Sequence, residues 1–260
     1  MTIVRKAVIP AAGLGSRFLP YTKAVPKEML PVVDRPVIQY VVAEAVEAGI
    51  DDILIVTSRH KKAIEDHFDR VTDLEDALVA AGKAEQAAEL KAISEMADIH
   101  FVRQGEARGL GHAIGLARSH VGDEPFVAMV SDRILHARAG VLPGMITAYN
   151  QHRCSVVALT EVGKDEISSF GSVAAEPLSD RVVDVHQLVE KPDPDDAPSN
   201  LAIMGRYLFT PEIFDIIDRT PPGTAGEIQI TDAMTLLLQR DQILGFTFTE
   251  GRFDTGTKLE

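Results

Sequence analysis

The densest chemistry in this 260-residue chain lies in Pro10-Ala11-Ala12-Gly13-Leu14-Gly15-Ser16-Arg17, with Lys23 and Lys27 close behind. Glycines at 13 and 15 leave the backbone bare, so peptide N–H groups can approach a phosphate. Arg17 and Lys27 offer fixed positive charge to a polyphosphate. The loop follows a strand-like run, Ala7-Val8-Ile9. It fits neither of the common glycine-rich phosphate loops. A dinucleotide fingerprint wants a small residue at Phe18 and a regular strand before Asp34, which Pro26, Pro31 and Pro36 surround. No GxxxxGK[ST] occurs. GxG alone favours a bare strand-to-helix turn, and the two cations reverse that reading in favour of a nucleoside triphosphate.

Other candidates follow strand-like runs, where open α/β sheets bind ligands. Gln104 and Gly109 lie in Arg103–His112; the amide can both donate to and accept from a base edge, and the glycine permits close backbone approach. A plain glycine-rich helix start accounts for that segment as well. Asp132 follows Phe126–Val130, and Asp254 follows the apolar Ile243–Phe248 and a turn. Such carboxylates suit Mg²⁺, which takes one or two from the protein and the rest of its shell from water and phosphates. Each also suits a turn or a helix N-cap. Glu190-Lys191 could hold a sugar hydroxyl and a phosphate, or be a surface ion pair. The eight histidines show no HExxH or other metal spacing, so zinc is not expected. Cys154 carries no nucleophile signature and reads as a buried apolar group.

Alternating elements must position these residues. Helices are expected over 37–48 (ended by Gly49), 63–68, 111–119 and 141–151, and strands over 53–56, 99–102, 126–130 and 155–160. The rhythm predicts an α/β fold, a mixed and mainly parallel central sheet with helices on both faces. Residues 74–96, rich in Ala, Glu and Lys, read as one or two exposed helices broken near Gly82. After about residue 165 short strands near 171–175, 182–190 and 201–209 suggest antiparallel additions beside the parallel core.

Composition is that of an ordinary globular chain, with 45% hydrophobic residues. A net charge of −13 argues against nucleic acid and anionic membrane as partners. One cysteine excludes an intrachain disulfide. With no signal-type or membrane-spanning run, the expected location is cytoplasmic.

Read in order, several blocks resemble the bacterial UTP–glucose-1-phosphate uridylyltransferases, or UDP-glucose pyrophosphorylases. They are PAAGLGSRFLP (10–20), the long PKEMLP block (26–50), AIEDHFDR (63–70), VRQGEARGLGHA (102–113), VEKP (189–192), SNLAIMGRY (199–207), PPGTAGEIQITDA (221–233) and FDTGTKLE (253–260). The resemblance implies one nucleotidyltransferase domain, with a nucleotide-binding core over about 1–165 and a sugar-phosphate-binding part over about 166–260. It implies Mg²⁺-dependent conversion of UTP and glucose 1-phosphate to UDP-glucose and pyrophosphate. By the same resemblance Ala12, Gly13 and Gly15 lie along the nucleotide, Arg17 and Lys27 hold the triphosphate, and Gln104 and Gly109 read uracil. Asp132 and Asp254 bind Mg²⁺, Gly171 and Glu190 contact glucose, and Lys191 holds its phosphate. A thymidylyltransferase and a catalytically weak regulatory relative fit the same fold. Arg133 departs from the family pattern; it could pair with Asp132 or point to solvent. A homo-oligomer, dimer or tetramer, is also implied, and the sequence stops at Glu260, where the family usually continues into a helix that contributes to subunit contacts.

Overall fold

The computed structural model describes residues 4–223, 226–249 and 251–255, and of Asp254 the backbone alone. The chain opens with β1 (Lys6–Pro10), and short 3-10 turns at Ser16–Phe18, Tyr21–Lys23 and Lys27–Met29 carry the glycine loop onward. A two-residue ribbon, β2 (Pro31–Val32) and β3 (Arg35–Pro36), leads into α1 (Val37–Glu47). Then come β4 (Asp52–Thr57), α2 (Lys62–Phe68), α3 (Thr72–Ala80), α4 (Ala84–Ser94) and β5 (Asp98–Arg103). The expected helix over 111–119 is two short ones, α5 (Leu110–Gly115) and α6 (Arg118–Val121), followed by β6 (Phe126–Met129) and β7 (Arg133–Leu135). The second half holds α7 (Val141–His152), β8 (Ser155–Glu161), β9 (Gly171–Ser179), β10 (Val182–Glu190) and β11 (Leu201–Phe209). It closes with α8 (Ile213–Arg219), α9 (Ile230–Leu238), β12 (Ile243–Thr247) and β13 (Arg252–Asp254).

Nine strands form one sheet in the order β5-β4-β1-β6-β11-β8-β12-β10-β9. Successive residues of its inner strands face opposite layers. Ala7, Ile9, Ile53 and Ile55 pack with α1 and α7, whereas Val8, Leu54 and Val56 pack with α5, α8 and α9. Both faces are covered, which is why these strands read as continuous apolar runs. The pairs β5–β4, β4–β1, β1–β6 and β8–β12 are parallel.

One expectation changes. The strand at 201–209 is not an addition beside the parallel core. β11 runs antiparallel between β6 and β8, inside the sheet, and joins its two halves. Eight of its nine residues are buried, so its sequence had to be apolar almost throughout. The longer hairpin β9–β10 does sit at an edge and bonds antiparallel, with β11 also touching β9. The helical stretch after residue 70 is two exposed helices, α3 and α4, with Gly82 between them at φ +76°.

Candidate active site

A cavity of about 800 Å³ opens beyond the carboxyl ends of β1 and β6. Arg17, Asp132, Gly171, Glu190 and Lys191 all line it. Four separated chain segments thus meet around one space. Lys27 reaches the same place from its 3-10 turn, its Nζ 2.6 Å from Oδ2 of Asp132. Burial opposes the Asp132 charge, but Lys27, by charge and hydrogen bond, outweighs it with help from Arg133 and Arg17. The carboxyl is held below its ordinary value and stays ionised at neutral pH.

Opposite lies a second charged group. Glu190 ends β10; its Oε2 accepts from the Thr231 hydroxyl at 2.6 Å and its Oε1 lies 3.4 Å from Lys191 Nζ. Lys191 itself has φ +42°, a turn that swings its side chain out of the strand's alternation. Gly171 forms part of the wall, and a Cβ there would come within 2.9 Å of Ile203 and 3.1 Å of Thr231 Oγ1. The wall therefore admits only glycine without repacking.

The remaining nominated residues divide. Ala12 is buried and Gly13 is exposed, with open space where a Cβ would project. Gly15 adopts φ +66°, and its carbonyl accepts from the Thr22 hydroxyl at 2.7 Å. Lys23 stays on the surface. Gln104 is buried, and its Nε2 donates to the Gly109 carbonyl at 3.3 Å and bonds His112 Nδ1 at 2.8 Å. Gly109 has a packing reason that the sequence did not disclose. At φ +95° it lies against Ile228, whose carbonyl and amide would stand 2.7 and 2.8 Å from any Cβ. The Ile228 carbonyl accepts from Gly111 N–H, and its amide donates to the Arg108 carbonyl. Close approach here is first of all that of another chain segment.

The side chain of Asp254 lies outside the described residues. Its backbone pairs with Arg133 in the β13–β7 ribbon, and Thr255 donates to the Asp132 carbonyl from both N–H and hydroxyl. Backbone alone therefore brings position 254 beside position 132, about 120 residues earlier in the chain. Arg133 donates to the Ile203 carbonyl at 3.1 Å and lies over the Phe170 ring, so it is not simply turned to solvent. Burial pushes the Cys154 thiol up to about 11, which leaves it an unreactive thiol at neutral pH.

Comparison with known proteins accords with this geometry. A family model described as nucleotidyl transferase matches residues 6–259. The UTP–glucose-1-phosphate uridylyltransferase of Bacillus subtilis is 48% identical over 259 residues, spanning 100% of this chain and 89% of its own. That of Pseudomonas aeruginosa is 47% identical over 257 residues, spanning 98% and 92%. The chain belongs to the nucleotidyl transferase family, among its UTP–glucose-1-phosphate uridylyltransferases. Among solved structures, a UDP-glucose pyrophosphorylase complexed with UDP-glucose superposes with a TM-score of 0.88 at 43% identity, over 98% of this chain and 94% of that one. The UTP-bound UGPase of Acinetobacter baumannii gives 0.90 at 40%, over 99% and 90%.

Three supports of this nucleotidyl transferase cleft escaped the sequence reading. Arg206, fully buried in β11, donates to the carbonyls of Val130, Gly205 and Arg133 and holds Glu44 of α1 at 2.7 Å. It thereby grips the chain on both sides of Ser131-Asp132. Its signal was an arginine inside an otherwise apolar strand, which must be partnered to be tolerated. Glu28 and Lys61 form a buried ion pair at 2.7 Å beneath the Lys27 turn; Ser131 touches Glu28 and donates to the Pro10 carbonyl. Burial pulls Lys61 below the ordinary lysine value and Glu28 partly offsets it. Lys61 sits in Ser58-Arg59-His60-Lys61-Lys62, which reads as a solvated run. Thr231 is the third.

Two outcomes follow from these contacts. Arg206→Lys keeps a charge for Glu44 but cannot serve carbonyls 130 and 133 together, so it is expected to lose about 1–3 kcal/mol in denaturant melts and to turn over more slowly. The Asp132 carboxyl lies below its unfolded value of 3.8, so its stabilising contribution is present above about pH 4 and fades as pH falls through the folded value. Asp132→Asn is expected to unfold more readily than the parent at pH 7, with the gap narrowing below about pH 4; urea melts across pH 2.5–7 check this.

Proposed function

We infer that this chain transfers a uridylyl group from UTP to α-D-glucose 1-phosphate, giving UDP-glucose and pyrophosphate. One observation carries the reading: two cationic groups face one cleft, Arg17 with the Lys27–Asp132 pair on one side and Lys191 beside Glu190 on the other. Two polyanionic substrates need that arrangement, and relatives bearing this activity in their names match the chain from end to end.

In this reading Ala12, Gly13 and Gly15 run along the nucleotide. The empty space beside Gly13 supports it, since no neighbour in the fold demands a glycine there. Arg17 and Lys27 bind the triphosphate, and Lys191 binds the sugar phosphate. Gly171 and Glu190 meet glucose, with Thr231 holding one Glu190 oxygen in place. Asp132 and Asp254 hold Mg²⁺. The donor set suits that ion: an ionised carboxylate at 132 beside the backbone of 254, in a cleft that takes phosphates. When bound, Mg²⁺ supplies divalent charge that offsets the negative charge of the nucleotide oxygens.

The reaction needs no nucleophile from the chain. A phosphate oxygen of glucose 1-phosphate attacks the α-phosphorus in line; a new P–O bond forms as the bond to the β-phosphate oxygen breaks, and pyrophosphate carries that electron pair away. The residues supply position and charge. Lys191 brings the attacking phosphate in against its own repulsion from UTP, and Arg17 and Lys27 stabilise the departing group.

Gln104 gives a basis for choosing the base. His112 is kept neutral first by burial and then by Arg108, so its Nδ1 can accept from the Gln104 amide. With both amide hydrogens committed to His112 and Gly109, the amide oxygen is left to meet the base. An acceptor there suits the N3–H of uracil and repels the N3 lone pair of cytosine. Thymine shares that N3–H and differs by one methyl.

Pyrophosphate release measured with glucose 1-phosphate and a panel of triphosphates tests the reading. UTP is expected to outrun CTP by about a hundredfold or more; equal rates, or no release with UTP, would sink it. Lys191→Ala is expected to raise KM for glucose 1-phosphate and lower kcat, about tenfold or more in kcat/KM. UTP affinity by calorimetry stays within a few-fold, and an equal loss there would move Lys191 to the nucleotide side.

A further inference from the structure

At the other end of the sheet three metal-ligating side chains converge. Asp52 opens β4, His100 lies in β5 and His120 in α6. His120 Nε2 is 2.7 Å from Asp52 Oδ1, and His100 Nε2 is 3.9 Å from the same oxygen. One ligand atom from each residue lies within 4.8 Å of the other two. The two imidazole rings are neighbours, with centroids 4.8 Å apart and planes tilted by 55°. We propose that Asp52, His100 and His120 form a divalent transition-metal site, of the zinc type, that clamps α6 to the sheet edge.

The geometry is near what such an ion requires. Zinc bonds nitrogen and oxygen at about 2.1 Å, which puts tetrahedral ligand atoms about 3.4 Å apart. The two separations from Asp52 Oδ1, 2.7 and 3.9 Å, bracket that spacing, and the two imidazole nitrogens lie within 4.8 Å of each other, so side-chain rotation without any change of backbone would admit the ion. His100 and Asp52 lie on one face of the parallel pair, because Asp52 is in register with Asp98 and Leu54 with His100. α6 covers that face and adds His120. Two imidazoles with one carboxylate favour zinc, cobalt or nickel over magnesium and calcium, which prefer all-oxygen shells. His100 is about half exposed, leaving a route for the ion and for a water in the fourth position.

The neighbouring cation does not forbid this. Lys6 is in register with Asp52, but its ammonium is held by Glu124 at 2.6 Å and by the carbonyls of His120 and Val121. The site is separate from the catalytic carboxylates. Along β1 and β4 it lies about 13 Å from the level at which Pro10 and Val56 pair. No spacing motif could announce it, since its ligands are 48 and 20 residues apart and only the fold unites them.

The test is calorimetry and thermal melting of the full chain with Zn²⁺, alongside His100→Ala and His120→Ala. The parent is expected to bind one Zn²⁺ with a micromolar Kd. At about a hundredfold excess over that Kd its melting temperature rises by about 5 °C. Both variants lose this binding and the thermal shift, yet keep Mg²⁺-supported pyrophosphate release within twofold. Mg²⁺ in place of Zn²⁺ gives no shift in either variant relative to the parent. Absence of Zn²⁺ binding at 100 µM, or binding unchanged in both variants, overturns the proposal. Binding lost instead in Asp132→Asn would assign the ion to the catalytic cleft and overturn it equally.

Discussion

The cleft depends on one buried guanidinium. Ser131 and Asp132 sit where β6 runs out, in a stretch with no regular ladder of its own. Arg206 supplies the missing partners, with donors for the carbonyls on either side and a carboxylate from α1 to balance its charge. An arginine can do this because its donors are fixed in one plane and its charge is permanent. The cost of burying it is offset by complete pairing. This contact also explains why β11 lies in the middle of the sheet. Only a strand next to β6 can put its side chain under residue 132; β1 flanks it on one side and β11, which carries Arg206, on the other.

Charge pairing recurs through the site. Lys27 meets Asp132, Lys191 meets Glu190, and Lys61 meets Glu28 below them. These pairs differ in burial and so in role. The Lys61–Glu28 pair is fully enclosed and acts as a structural tie, its net energy small but its geometry exacting. Lys191 is more than half exposed, so its tie to Glu190 is weak, as the proposed role of receiving a phosphate would require. Lys27–Asp132 lies between these extremes. A cation already beside a carboxylate can be shared with an arriving phosphate without either charge being stranded.

Much of this was legible in the sequence and some was not, for definable reasons. Strands buried on both faces announced themselves as unbroken apolar runs such as Ile53–Val56. The glycine loop with Arg17 and Lys27, and Asp132 after its strand, were visible because ligand sites in such sheets follow strand ends. The position of β11 was hidden, because hydrophobic pattern tells that a strand is enclosed but not which neighbours enclose it. The break between α5 and α6 was hidden because Leu116 and Ala117 continue an apolar helical pattern. Gly109 was noticed for the right property, a bare backbone, but the Ile228 segment, about 120 residues away, uses it. Arg206 was marked by the apolar strand around it, but its partners were not; Lys61, in a polar run, could not be distinguished from a surface cation without the fold around it.

The net charge of −13 bears on how substrates arrive. A triphosphate and a sugar phosphate carry the same sign as the molecule, so its net charge offers them no attraction. At physiological salt a field reaches only about 8 Å. Lys27 and Lys191, each already beside an acid, project little charge beyond the mouth of the cleft. Encounter is therefore not steered from a distance. It rests on capture at short range, by the charged groups that line the cleft itself.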